Sequence, residues 1–132
     1  MAEMRTVIYF TLVTIILGSC GKGNTPEGPS DIRIKNLSSL AFDSTIVNTS
    51  GGENSYQAIP PGEYSDYKRF DKAYPKAEVT VIINGVTYTT GAQNYNYQVV
   101  LGPGKYTYEV FIENPELRRL AISRVIPEAP LD

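Results

Sequence analysis

The sequence predicts an all-β protein: a single antiparallel β-sandwich of about seven strands over residues 31–132, preceded by an apolar leader and a flexible tether. Three observations predict it. Apolar and polar side chains alternate with period two in short runs, the spacing of half-buried strands. Turn residues punctuate those runs at roughly 8–15-residue intervals, as in sandwiches and barrels. An Asn-Gly pair at 84–85 separates two runs rich in β-branched residues, which is the signature of a tight hairpin. The 132 residues allow one hydrophobic core and not two.

The elements follow in order. Ile32-Arg33-Ile34-Lys35-Asn36-Leu37 alternates and predicts the first strand. A second runs within Phe42–Thr49, and Ser50-Gly51-Gly52-Glu53-Asn54 supplies a turn. Ile59-Pro60-Pro61-Gly62 is another turn, followed by a strand from Tyr64 to Phe70 with a bend near Asp71–Ala73; Pro75 argues against a helix through Tyr67, Phe70 and Tyr74. In the hairpin Glu78–Thr90, Asn84 and Gly85 both tolerate positive φ. That loop opposes Ile83 to Val86, Val81 to Tyr88 and Val79 to Thr90 on the core face. Ile82–Thr87 and Thr80–Thr89 take the other face. Asn94–Leu101 alternates again, with Tyr95, Tyr97, Val99 and Leu101 on one side. Gly102-Pro103-Gly104 turns the chain into Tyr106–Glu113, whose Tyr106, Tyr108, Val110 and Ile112 share a face. Asn114-Pro115-Glu116 breaks that strand, and Leu120–Ile126 is the last.

Ahead of the sandwich, Val7–Leu17 is an apolar run of about eleven residues, interrupted only by threonines. Its length suits the h-region of a signal peptide, whereas a spanning helix needs roughly twenty residues. It ends in Leu17-Gly18-Ser19-Cys20, and Cys20 is the sole cysteine. These four residues closely resemble the lipobox of bacterial lipoproteins: an apolar residue, two small ones, then Cys. The resemblance implies a signal peptide at 1–19, cleavage after Ser19, and a diacylglycerol thioether on Cys20 as the lipidated (palmitate-bearing) N-terminus. More than one acyl chain at one point gives stable anchoring, at about 0.8 kcal/mol per buried CH₂. Gly21 stands where an Asp would resemble an inner-membrane retention signal, which implies the outer membrane of the cell envelope. Gly21-Lys22-Gly23-Asn24 has no acidic cluster resembling a surface-export signal. Residues 20–30 read as the lipidated Cys and tether, reaching at most about 35 Å extended and roughly 18 Å as a coil.

Composition excludes several function classes. There are 12 Lys+Arg against 14 Asp+Glu, a net charge of −2, which provides no electrostatic footprint for nucleic acid. With no His and one Cys, neither a Ser-His-Asp triad nor a Cys-His pair nor the usual zinc sites can form. No Asp-x-Asp-x-Asp-Gly calcium loop, G-x-S-x-G elbow, P-loop or GxGxxG pattern occurs. Glu109 and Glu113 share a face of one strand and read as a solvated charged face, and Arg118-Arg119 as an exposed basic pair. The expectation is therefore no catalytic residues, no metal, and no cofactor beyond the covalent lipid.

Tyrosine is the one compositional excess, with ten against four Phe and no Trp. Asn94, Tyr95, Asn96 and Tyr97 form a candidate glycan- or protein-binding surface, since rings supply area and amides supply hydrogen bonds. The competing expectation is that the two tyrosines fill the sandwich edge while the amides face water. Ile59-Pro-Pro-Gly-Glu-Tyr64 and Leu101-Gly-Pro-Gly-Lys-Tyr106 share one form, 42 residues apart. This turn-plus-tyrosine resembles the tyrosine corner of immunoglobulin-like and fibronectin-like sandwiches, where the hydroxyl bonds back to the backbone. Together with the lipobox, and with Tyr64-Ser-Asp-Tyr-Lys-Arg-Phe-Asp-Lys-Ala-Tyr74 ahead of the hairpin, the chain resembles the small uncharacterised β-sandwich lipoproteins of Gram-negative bacteria. The expected function is a membrane-anchored, non-enzymatic binding or scaffolding module with an envelope protein or glycan as partner. The alternative is an inhibitor of an envelope hydrolase, a lysozyme or protease, acting through a loop at Ser50–Asn54 or Gly91–Asn96.

Overall fold

A computed structural model describes residues 26–132. The lipobox, Leu17, Gly18, Ser19 and Cys20, lies outside the described residues, as does most of the tether. Pro26–Pro29 leads without regular structure into the first strand. The strands are β1 (Ser30–Asn36), β2 (Ser44–Asn48), β3 (Glu53–Tyr56), β4 (Lys68–Phe70), β5 (Glu78–Ile83), β6 (Val86–Thr89), β7 (Gly104–Asn114) and β8 (Arg119–Ala129). They form an 8-stranded sheet in the order β3-β2-β5-β6-β8-β7-β1-β4. The protein is all-β, as the alternation predicts.

Two weak seams divide the sheet into halves, β3-β2-β5-β6 and β8-β7-β1-β4. This makes the fold sandwich-like, and its layers curl toward a barrel. β6 meets β8 through the single pair Thr89–Arg119, with Thr89 N donating to Arg118 O at 3.1 Å. At the other seam the Asn54 side-chain amide donates to Arg69 O at 2.8 Å and Asp71 N to Gly51 O at 2.9 Å. The second half contains a parallel pairing that the sequence reading did not foresee: β1 lies alongside β7 with Ile32 opposite Tyr106 and Ile34 opposite Tyr108. Period two reveals which face a residue takes and carries no information about strand direction.

The hairpin forms in the expected register, with Val81 opposite Tyr88 and Ile83 opposite Val86. Asn84 (φ 51°) and Gly85 (φ 77°) adopt the left-handed conformations that the turn requires. Val79, Val81 and Ile83 are buried in one core with Val47 of neighbouring β2 and with Ile32, Ile34, Val110 and Leu120 of the other half. Phe42 and Ile59 close the core beside them through two reciprocal backbone hydrogen bonds of 2.9 and 2.8 Å.

Tyrosines supply much of the remaining core, and each brings a hydroxyl that must be paired when buried. Tyr56 donates to Ile32 O at 2.7 Å, Tyr108 to Tyr74 O at 2.5 Å, and Tyr106 to Leu101 O at 2.7 Å. The Tyr106 bond runs back across the Gly102-Pro103-Gly104 turn, so this copy of the motif is a tyrosine corner. The other copy is not. Tyr64 is exposed, and its ring lies 4.0 Å from the Arg33 guanidinium carbon.

Three local expectations are corrected. Asn94–Leu101 is not a strand: Tyr95–Tyr97 is a 3₁₀ turn and residues 98–103 are irregular. The Asn94 side chain accepts from Asn96 N at 3.0 Å, a local bond that competes with the extended backbone. Glu53 and Asn54 begin β3 rather than ending a turn, because the tight turn closes earlier, Thr49 N donating to Gly52 O at 3.0 Å. The expected strand Tyr64–Phe70 pairs regularly only at Lys68–Phe70, since Ser65 Oγ takes Ile34 N at 2.8 Å in place of a carbonyl.

Candidate functional site

The predicted surface Asn94, Tyr95, Asn96 and Tyr97 is not brought together as one face. Tyr95 is half-buried, its ring 4.9 Å from that of Tyr74, and its hydroxyl donates to Asn48 O at 3.0 Å. Burial raises the Tyr95 phenol above its ordinary pKa. Tyr97, one residue beyond Asn96, is 90% exposed and Val99 is 80% exposed. Asn94 is the cap of the turn. One tyrosine thus serves packing and one projects into solvent.

The outer face of β1, β7 and β8 carries a charged network. Glu109 was expected to be solvated; it is buried, at 5% exposure. Arg124 from β8 donates to its carboxylate, and Lys35 from β1 lies 4.0 Å away. The long stems of these two cations cover the carboxylate from either neighbouring strand, an arrangement that only the strand order creates. Next to it Arg33 Nε donates to Thr107 Oγ1 at 2.9 Å, Thr107 donates to Glu128 at 3.0 Å, and the rings of Tyr64 and Tyr67 flank the guanidinium. Every polar group here already has a partner within the domain, so the network is a structural brace. Glu113, which the bulge between Ile112 and Asn114 displaces, does remain exposed.

The open seam is different. β8 spans 11 residues while β6 spans 4, and the two pair only at Thr89–Arg119. Beyond that point the side of β8 facing away from β7 has no ladder partner among the described residues. Two contiguous cavities of about 200 and 350 Å³ run beside it, sharing Lys76 and Ile122 as wall residues. The larger is lined by Pro75, Leu101, Tyr106, Val125 and Pro127 and is mainly apolar. The smaller holds Thr90, Gln93, Glu113 and Arg119. The opposing wall is positioned by the core: Leu101 N donates to Ala73 O at 2.8 Å, and Thr90 Oγ1 accepts from Val79 N at 2.9 Å. Among the described residues neither Lys76 nor Arg119 takes part in an ion pair, so their charges are available to a ligand. Nor do three metal-ligating side chains come together among the described residues.

Sequence reasoning missed this groove. No signal in the residues points to it, because it arises from the pairing of long β8 with short β6, segments distant in the chain.

In overall fold the chain is similar to a protein from Eubacterium rectale whose structure was solved by NMR, with a TM-score of 0.52 and 12% identity over 76% of this chain and 94% of that one. Likeness at this identity concerns the fold alone. No family model and no curated protein matches the chain.

Proposed function

We propose that the chain is a lipid-anchored lipoprotein of the bacterial cell envelope whose β domain acts as a non-enzymatic binding or scaffolding module. The groove at the β6–β8 seam is the observation that carries this reading. A domain of this size ordinarily closes its sheet edges or covers them, because an unpaired edge invites association. Here, among the described residues, the edge stays open beside an apolar cavity whose rim cations Lys76 and Arg119 make no ion pair. The lipobox resemblance at Leu17–Cys20 supplies the location, with Gly21 favouring the outer membrane, and the short tether would hold the groove near the bilayer. Covalent lipid is the only non-protein group that this reading requires.

Photo-crosslinking in the producing cell tests it. A benzoylphenylalanine placed at exposed Ser123, in the groove, is expected to yield a defined adduct, and the same residue at Thr87 on the opposite face is not. Adducts from Thr87 alone would move the site off the groove, and none from either position would remove the binding-module reading.

One observation favours the inhibitor reading as a second possibility. Tyr97, the residue just after the Gly91–Asn96 loop, projects almost fully exposed, as an inserted anchor would. The other loop considered, Ser50–Asn54, is tied down by the bonds of Thr49 Oγ1 to Lys72 O (2.8 Å) and Asp71 N to Gly51 O (2.9 Å). Assays against lysozymes and envelope proteases decide the matter: inhibition lost in Tyr97→Ala supports it, and no inhibition at micromolar protein ends it.

A further inference from the structure

We infer that the groove takes an extended acidic peptide segment, which adds as a strand to the free edge of β8; this rests on the reading of the domain as a binding module. The first argument is backbone chemistry. A strand edge presents N–H and C=O groups in alternation along a line, and a partner satisfies both rows only if it offers the complementary alternation about 4.8 Å away. Another extended polypeptide does so, whereas a glycan or an acyl chain does not. β-Strand addition of this kind derives affinity from the main chain and selectivity from pockets for alternate side chains.

The dimensions agree. From Leu120 to Ile126 the edge offers about seven residues, roughly 23 Å at 3.3 Å per residue. The larger cavity lies beside Ile122 and Val125, where an added strand would turn every second side chain toward Leu101 and Tyr106. Edge devices mark the stretch: Ser123 bends it at its centre, and Pro127 and Glu128 end it. Ser123 and Glu128 are extra residues in β8 with no opposite number in β7, and Pro127 lacks an N–H. They leave room for one short strand while discouraging open-ended stacking of sheets.

Charge selects the partner. Lys76, Arg119 and Arg124 face the groove with Glu113 as the single carboxylate among its lining residues. Arg124 is already engaged by Glu109, which leaves Lys76 and Arg119 as the uncommitted pair. A second copy of the chain is the poorer occupant, because the Leu120–Ile126 stretch it would offer carries Arg124 and no carboxylate to meet Lys76 and Arg119. An extended segment with apolar residues at alternate positions and acidic ends meets both the cavity and the rim.

The test uses the purified full chain in detergent micelles and three capped heptapeptides. These are Glu-Val-Thr-Val-Thr-Val-Glu, the same with Pro at its centre, and the same with Lys at both ends. Amide hydrogen exchange of residues 120–126 is expected to slow at least tenfold at saturating acidic peptide, with affinity falling as salt rises. The proline and lysine versions are expected to bind at least tenfold more weakly. The exposed double variant Lys76→Glu, Arg119→Glu is expected to reverse the charge preference, which keeps the test independent of any core substitution. Unchanged exchange at millimolar peptide, equal protection by the proline version, or protection mapped to the β2–β5 face would each overturn the inference. If those results came while Ser123 still crosslinked a partner in cells, strand addition would be wrong and the binding module would stand.

Discussion

Replacing Tyr108 by Phe removes one oxygen from the centre of the core and leaves the ring in place. That oxygen donates to Tyr74 O at 2.5 Å, and no part of the Tyr108 side chain reaches solvent. At neutral pH the variant loses the hydrogen bond and leaves a buried carbonyl without that donor, a cost of about 1.5 kcal/mol within the usual range for such losses. Alkaline pH changes the comparison. Burial pushes the Tyr108 phenol far above its ordinary value of 10.0, so the folded protein keeps the proton that the unfolded chain releases. A folded pKa above the unfolded one contributes stability that is complete below pH 10 and is lost as pH rises through the folded value. The loss is about 1.4 kcal/mol per pH unit for one phenol. Phe escapes it. The deficit of the variant is therefore expected to shrink from about 1.5 kcal/mol at pH 7 to near zero at about pH 11, then to change sign. Urea unfolding followed by far-ultraviolet circular dichroism at pH 7, 9, 10, 10.5 and 11 reads both limbs. Tyr97→Phe, altered at an exposed ring, keeps Tyr108 and should follow the wild-type curve throughout. Parallel curves for wild type and Tyr108→Phe would refute the assignment of this hydroxyl to a dry, proton-retaining site.

Three further outcomes are expected. Gly85→Ala should cost about 1–2 kcal/mol in urea unfolding, the penalty of a left-handed Cβ, because the space around Gly85 is open and only its φ of 77° resists. Glu109→Gln should destabilise by about 1 kcal/mol, since it uncouples the Lys35 and Arg124 contacts to a buried carboxylate, while Glu113→Gln should stay within about 0.5 kcal/mol; equal effects at the two positions would contradict the burial difference. Cys20→Ser should abolish metabolic fatty-acid labelling and release the protein from membranes, and label persisting in that variant would end the lipobox reading.

Local chemistry made part of this molecule legible. Asn84-Gly85 needs no neighbours to prefer its turn, so the hairpin and its core face could be read directly. The Leu101–Tyr106 motif likewise closes on itself, the tyrosine reaching back across its own turn. The identical form at Ile59–Tyr64 shows the limit of such reading. There Arg33, from another strand, stacks on the ring, and no corner forms. Asn94–Leu101 failed for the opposite reason: its alternation is real, but the Asn94 side chain satisfies the backbone locally and no strand lies alongside to pair with it.

The sequence by itself determined the class of the fold, the hairpin, the placement of most turns and the exclusion of imidazole chemistry, because each depends on residue type and near spacing. It also carries the lipobox resemblance, whose four residues are contiguous. Only the tertiary structure decided that β1 runs parallel to β7, that Glu109 is enclosed between cations of two other strands, and that β6 is too short to cover β8. Those are relations between segments as far apart in the chain as Lys35 and Glu109, 74 residues. Period two fixes a residue's face and leaves its neighbour across the ladder undetermined. The groove arises in that gap, from a mismatch in length between two strands whose pairing nothing in their own residues announces.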